Sequence, residues 1–236
     1  MIARINLKNM TKKEAFKYVF RLLLQRIIGI GLFFVAAGTF NDMRGNTYVS
    51  LYFLVSVIAF IIILWGYQDT LSERGKKRDN TKKWDKILLP ILFILTFHGM
   101  YVIAGLGVRL HWNRLPIECF YAGSILYLLS SVFTIWPVLA NKHFEESSRI
   151  QNDREQFVIT SGPYKIVRHP AYLGIIIWSI ASYLMFGTLA VGIVSFFISA
   201  IICIRTYLED KMLKDELAGY LEYSQTVKYR LIPFVW

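Results

Sequence analysis

The chain has 236 residues, 55% of them hydrophobic, and a mean hydropathy of +0.43, which excludes an ordinary soluble domain. Its formal net charge of +11 reads as membrane topology and not as nucleic-acid binding, because the basic residues gather between apolar runs. The two cysteines, Cys119 and Cys203, lie far apart at or within apolar runs without a C-x-x-C spacing, so neither a metal site nor a disulfide is expected.

The opening MIARINLKNMTKKEAFKYVF is polar and basic and lacks a short apolar core with a cleavage site, so no cleavable signal peptide is expected. Residues 18–40 follow as a first span, apolar mainly after Arg26, with Arg21 able to snorkel to the headgroups. Val49–Tyr67, VSLYFLVSVIAFIIILWGY, is uncharged over about nineteen residues, close to what a ~30 Å hydrocarbon layer requires. Ile87–Val108 and Phe120–Leu139 have the same character, and His98 in the third run reads as a core histidine. Ala171–Phe186 and Leu189–Ile204 are shorter apolar runs separated by Gly187-Thr188, which predicts a tight helical hairpin.

Charge placement orients these spans. Of the 27 Lys and Arg, only Arg44, Arg109 and Arg114 fall on one side, and all the others fall on the opposite one. Such a split predicts an even number of crossings, six if the hairpin spans, with both termini in the cytoplasm. Trp65, Tyr67 and Trp84 are expected at the inner interface, and GKKRDNTKKWDK in the second loop reads as an inside-loop signal. The expectation is therefore an all-α integral membrane protein of about six transmembrane helices with one large cytoplasmic face. Residues 1–140 form its four-helix membrane part; residues 141–236 carry the loop, hairpin and C-terminal helix. Glu118 and His111 fall on the opposite side and are left out of any site.

Chemistry is concentrated at SGPYKIVRHPAYLG, residues 161–174. Gly162-Pro163 marks a turn, and Pro170 moves His169 out of the helical region, so a helix should begin at Pro170 and present free amides in its first turn. Around that start stand Tyr164, Arg168, His169, Tyr172 and Gly174: a cation, a switchable ring donor, two phenols and a glycine for close approach. The tail adds Arg205, Glu209 and Asp210, then Tyr220-Leu-Glu-Tyr223 and Tyr229-Arg-Leu-Ile-Pro233. Arg205 and Glu209 share a helix face at i and i+4, and an arginine closing an apolar run is a functional candidate.

From Asn141 to Trp236 the chain resembles the integral-membrane S-adenosylmethionine-dependent methyltransferases related to isoprenylcysteine carboxyl methyltransferase and phospholipid N-methyltransferase. The resemblance runs through RIQNDREQFVITSGPYKIVRHPAYLG and RTYLEDKMLKDELAGYLEYSQTVKYRLIPFVW. It departs in the acidic pair, Glu-Glu in that family and Glu209-Asp210 here. The resemblance implies S-adenosyl-L-methionine as cofactor, held by Gly162, Pro163, Tyr164, Val167, Arg168, His169, Pro170, Tyr172 and Gly174, with Glu209 and Asp210 on its polar groups. His169 or Arg168 would meet its carboxylate, and Tyr164, Tyr207 or Tyr220 would lie near the sulfonium. Arg205 would orient the acceptor's polar head, and Glu209 would position it or take its proton. No metal is implied. The acceptor, a prenylated cysteine carboxylate, a phospholipid amine, a thiol or a hydroxyl, enters sideways from the bilayer. Sterol-reductase-like proteins, which use a nicotinamide cofactor, share an Arg-His-x-x-Tyr turn and a Tyr-Arg-x-x-Pro ending, but the Arg205/Glu209-Asp210 spacing suits the methyltransferases better. A transporter would place ionisable residues in mid-span, and these runs hold almost none.

Overall fold

A computed structural model describes residues 2–66 and 80–236; Tyr67 and residues 75–79, the first five of the GKKRDNTKKWDK patch, lie outside the described residues, as does the side chain of Trp65. Among the described residues all regular structure is helical. The long helices are α1 (Ile2–Ala37), α2 (Met43–Gly66), α3 (Asp85–Arg109), α4 (Ile117–Ala140), α5 (Pro170–Phe186) and α6 (Leu189–Glu216); a short α7 (Tyr220–Thr226) follows. Five of them hold stretches long and apolar enough to cross a bilayer, beginning at Val19 in α1, and α5 is a shorter apolar helix. The chain is an integral membrane protein. Its outward faces carry large apolar side chains such as Val35, Phe53, Ile125, Val132 and Phe196, as a lipid-facing surface requires.

Local chemistry sets the ends. Asp42 Oδ2 accepts from the Gly45 amide at 2.8 Å and so caps α2, while its Oδ1 accepts from Arg114 at 2.7 Å. Pro170 occupies the first position of α5, as read from the sequence. Gly187 ends that helix at φ +77°, a left-handed turn that costs glycine nothing, and Thr188 Oγ1 accepts from Val191 N to open α6. The expected hairpin is thus present. α3 widens into a π turn at Leu95–Gly99, which carries His98; that side chain is half-buried and not in the core.

Packing positions the site. α4 lies along α5, and α5 along α6. At the first contact Gly174 touches α4 so closely that an added Cβ would stand 2.7 Å from Thr134 Cγ2 and 2.9 Å from the Phe133 carbonyl carbon. Tyr48, Tyr52, Tyr101 and Tyr127 meet at ring distances of 5.4–6.5 Å in the centre of the bundle, with Phe33, Met185 and Phe186. At 1.5 Å per residue, the 28 residues of α6 extend about 42 Å, so a ~30 Å hydrocarbon layer is crossed near residue 208. A crossing that begins at Leu189 would place Glu209 and Asp210 at the membrane boundary, with Arg205 just inside it.

Candidate active site

The segment between α4 and α5 is irregular and must satisfy its backbone through side chains. It does so around Arg149 and Gln151, both buried. The Arg149 guanidinium donates to Glu145 (2.7 and 2.8 Å) and to Asp153 (2.7 Å); burial alone would lower its pKa, but the two carboxylates outweigh burial and raise it. Gln151 Nε2 donates to the His143 carbonyl at 2.5 Å, and the Gln151 amide donates to Gln156 Oε1. These bonds hold residues 141–159 as a lid-like wall over the end of α6.

The far end of the segment is fastened to the tail by a single carboxylate. Asp210, 1% exposed, accepts from Arg168 Nε at 2.6 Å and Nη2 at 3.1 Å, from Arg230 Nε at 2.9 Å and from the Tyr220 hydroxyl at 3.2 Å; Lys214 Nζ stands 3.1 Å away and His169 Nε2 3.6 Å. Arg168 Nη1 donates to the Val227 and Lys228 carbonyls at 2.7 and 2.8 Å, so four of the five guanidinium N–H groups are engaged in the clasp. The backbone is stitched as well: the Arg168 and His169 amides donate to the Tyr229 and Arg230 carbonyls. Burial and the neighbouring Asp210 push the Tyr220 phenol well above its usual pKa, so it remains a donor. Burial and Tyr164 likewise raise Tyr223, whose hydroxyl donates to the Tyr164 carbonyl at 2.7 Å.

Between lid and clasp opens a cavity of about 110 Å³. Its wall carries His169, Tyr172, Glu209 and Ser148 together with His143, Phe157, Val158 and Ile159, and Glu145, Arg149, Gln151, Gln156, Leu213, Leu217, Tyr164 and Tyr220 are among the other residues that line it. Glu209 Oε2 accepts from the Tyr172 hydroxyl at 2.5 Å and from Ser148 Oγ at 2.7 Å. Behind Tyr172 lies Arg205, 2% exposed, its guanidinium carbon 5.2 Å from the phenol ring. Arg205 Nε donates to Asp85 Oδ1 at 2.8 Å and Nη2 to the Glu146 carbonyl, while Asp85 Oδ2 accepts from the Ser148 amide at 2.7 Å. Ser148 thus links the buried Arg205–Asp85 pair to Glu209.

The structure brings Tyr164, Arg168, His169, Pro170, Tyr172 and Glu209 to one cavity. It turns other expected cofactor contacts away. Gly162 (φ +60°) packs against Trp136 and Ala140, Gly174 against α4, and Pro163 and Val167 are buried outside the lining. Asp210 is enclosed by the clasp and is not part of the lining, and Arg168, though at the wall, is spent on Asp210 and two carbonyls. Arg205 pairs with Asp85 and not with Glu209 at i+4, and Tyr207 is half-exposed away from the cavity. Sequence reading missed Asp85, Ser148 and His143. Asp85 had a visible signal, an acid among Lys82, Lys83 and Lys86 at the edge of an apolar run.

Comparison with known proteins points one way. The model of the isoprenylcysteine carboxyl methyltransferase (ICMT) family matches residues 124–215, which hold α5, most of α6 and the irregular segment before them. Protein-S-isoprenylcysteine O-methyltransferase B of Arabidopsis thaliana is 27% identical over 137 residues, 55% of this chain; the chain spans 64% of that relative's length. Protein-S-isoprenylcysteine O-methyltransferase A of the same plant is 26% identical over 156 residues, 63% of this chain and 72% of the relative. A solved eukaryotic intramembrane Ras methyltransferase, ICMT, aligns over 95% of this chain and 98% of its own at 17% identity and a TM-score of 0.45. The sequence matches bear out the ICMT-like resemblance.

Proposed function

We propose, from the ICMT-like character of residues 124–215, that the chain transfers a methyl group from S-adenosyl-L-methionine to a lipophilic acceptor at the cytoplasmic membrane face. The observation that carries this reading is the cavity beside the C-terminal end of α6, whose wall brings the polar His169, Tyr172 and Glu209 together with the apolar Phe157 and Val158. The donor set suits the cofactor: a carboxylate side chain for its ammonium, an imidazole and the one free first-turn amide of α5, that of Ala171, for its carboxylate, and apolar side chains for its base. When bound, S-adenosylmethionine supplies a methyl group already activated on a sulfonium, so the protein's work is alignment and exclusion of water.

In this reading His169, stacked on Tyr172 at 5.7 Å and 6°, meets the carboxylate with the Ala171 amide, and Arg168 takes no direct part because its guanidinium is bound to Asp210 and two carbonyls of the tail. Glu209 holds the ammonium, and Tyr164 or Tyr220 lies near the sulfonium. Arg205 and Asp85 are positioning residues that fix Tyr172, Ser148 and through them Glu209. Residues 1–140 shape the lateral entrance, and residues 141–236 hold the cofactor with Asp85 reaching across. Six crossings with both termini cytoplasmic agree with the one-sided placement of Lys and Arg.

The relatives are named for isoprenylcysteine O-methylation, and an isoprenylcysteine carboxylate is the acceptor we assign. Such a carboxyl group is ionised at neutral pH, so its methylation requires no general base. Purified protein in liposomes, given methyl-labelled S-adenosylmethionine and N-acetyl-S-farnesylcysteine, is expected to form a base-labile methyl ester. Label that goes only to an amine or thiol acceptor would overturn the acceptor, and no transfer to any of the three would overturn the activity.

A further inference from the structure

Among the described residues, His143 is the one on the cavity wall whose buried side-chain polar atoms have no hydrogen-bond partner. Its side chain is 4% exposed, yet neither Nδ1 nor Nε2 has a hydrogen-bond partner. Buried polar atoms are rarely left so, because desolvation without a bond is costly. The backbone on either side of the ring is fixed: the His143 amide donates to Asn141 Oδ1 at 2.8 Å, and its carbonyl accepts from Gln151. The ring meets Phe157 edge to face at 5.1 Å and 83°, and both side chains line the cavity. A rigid, unpaired imidazole beside an aromatic face is arranged for a flat, polar-edged ligand.

Charge around the ring selects its protonation state. Burial, then Arg154 and Lys142, lower the His143 pKa below the usual 6.5, and Glu145 opposes them while itself bonded to Arg149. The imidazole is therefore neutral at neutral pH and keeps a nitrogen that can accept. Of the cofactor's parts, the amino-acid moiety suits His169 and Glu209, which leaves His143, Phe157, Val158 and Ile159, on the same cavity wall, for the base. Adenine's edge carries ring nitrogens that only accept and one donor, the 6-amino group.

We infer that His143 is a specificity-determining residue for the cofactor's purine, its unprotonated ring nitrogen accepting a hydrogen bond from the 6-amino group while Phe157 covers the base. The opposite nitrogen keeps the ring's proton. This rests on the methyl-donor reading of the cavity. A guanine or hypoxanthine base, with a carbonyl at that position, would present an acceptor where the site now offers one.

Calorimetry on the detergent-purified protein at pH 7.5 tests it, with S-adenosylhomocysteine and its analogue bearing hydrogen in place of the 6-amino group. The native chain should bind the adenine compound about tenfold more tightly, as one hydrogen bond warrants. His143→Phe should bind the two alike, and His143→Gln, which keeps an acceptor, should recover part of the preference. In protein carrying 15N-labelled histidine, the His143 ring signals should shift with S-adenosylhomocysteine and not with the analogue; this readout needs no variant to retain affinity. Equal affinity of the native chain for both compounds, without the shift, would overturn the His143 assignment and leave the cofactor reading standing. Absence of any S-adenosylhomocysteine binding would overturn that reading and the assignment with it.

Discussion

Glu209 and Asp210 are consecutive acids on α6, yet they serve surroundings of opposite kind. Asp210 is closed in by Arg168, Arg230, Lys214 and Tyr220, so its charge is consumed in joining the tail to the start of α5. Glu209, one residue earlier and rotated about 100° around the helix, faces a cavity and is held through Oε2 by Tyr172 and Ser148. A buried charge whose every bond is internal is a structural element; a charge on a cavity wall is available for chemistry. The same contrast separates Arg168, bound in the clasp, from His143, unpaired on the wall.

The largest effect should come from breaking the clasp. Asp210→Ala leaves Arg168 buried without its counter-charge and should cost about 3–5 kcal/mol, seen as a large drop in melting temperature in detergent. A variant that melts normally and loses only ligand binding would move Asp210 to the cavity side of the comparison. Glu209→Gln should do the reverse. Its thermal stability should change by less than about 1 kcal/mol, while turnover falls roughly 100-fold through the lost charge. A smaller loss, about 1–3 kcal/mol, is expected for Gly174→Ala, because the new methyl must push α4 away from α5; normal melting with weakened cofactor binding would instead return Gly174 to the site.

The smallest effect concerns pH. The folded His143 pKa is depressed, so above pH 6.5 the ring is neutral in both folded and unfolded chains and pH has no leverage. As the pH falls from 6.5 toward the lowered value, the unfolded chain takes up the proton and the folded chain resists, which destabilises the fold. His143→Phe should lack this part of the acid dependence, and at pH 7.5 it should melt no lower than the native chain. Identical acid dependence in the two proteins would contradict a neutral, desolvated imidazole.

Much of the fold was legible because it rests on local rules. Apolar length defined the spans, Gly187-Thr188 the hairpin, and Pro170 the start of α5, each through backbone preferences carried by a few adjacent residues. The Arg-His-Pro turn and the acids of α6 also pointed to one region, and the structure does bring His169, Tyr172 and Glu209 together. What spacing could not show is which charges neutralise each other. Arg205 suggested Glu209 one helical turn on, but its partner is Asp85, 120 residues away. Arg168 suggested an anion from a ligand, but Asp210 supplies one from within the chain. His143 left no pattern to read: its significance is a missing partner, which exists only in three dimensions.

The most direct test is calorimetric titration of the purified native chain with S-adenosylhomocysteine and, separately, with NADPH, each repeated on Glu209→Gln. We predict saturable binding of S-adenosylhomocysteine alone, greatly weakened in the folded variant. Binding of NADPH without S-adenosylhomocysteine would contradict the account, leaving a cofactor cavity but assigning it to reduction instead of methyl transfer.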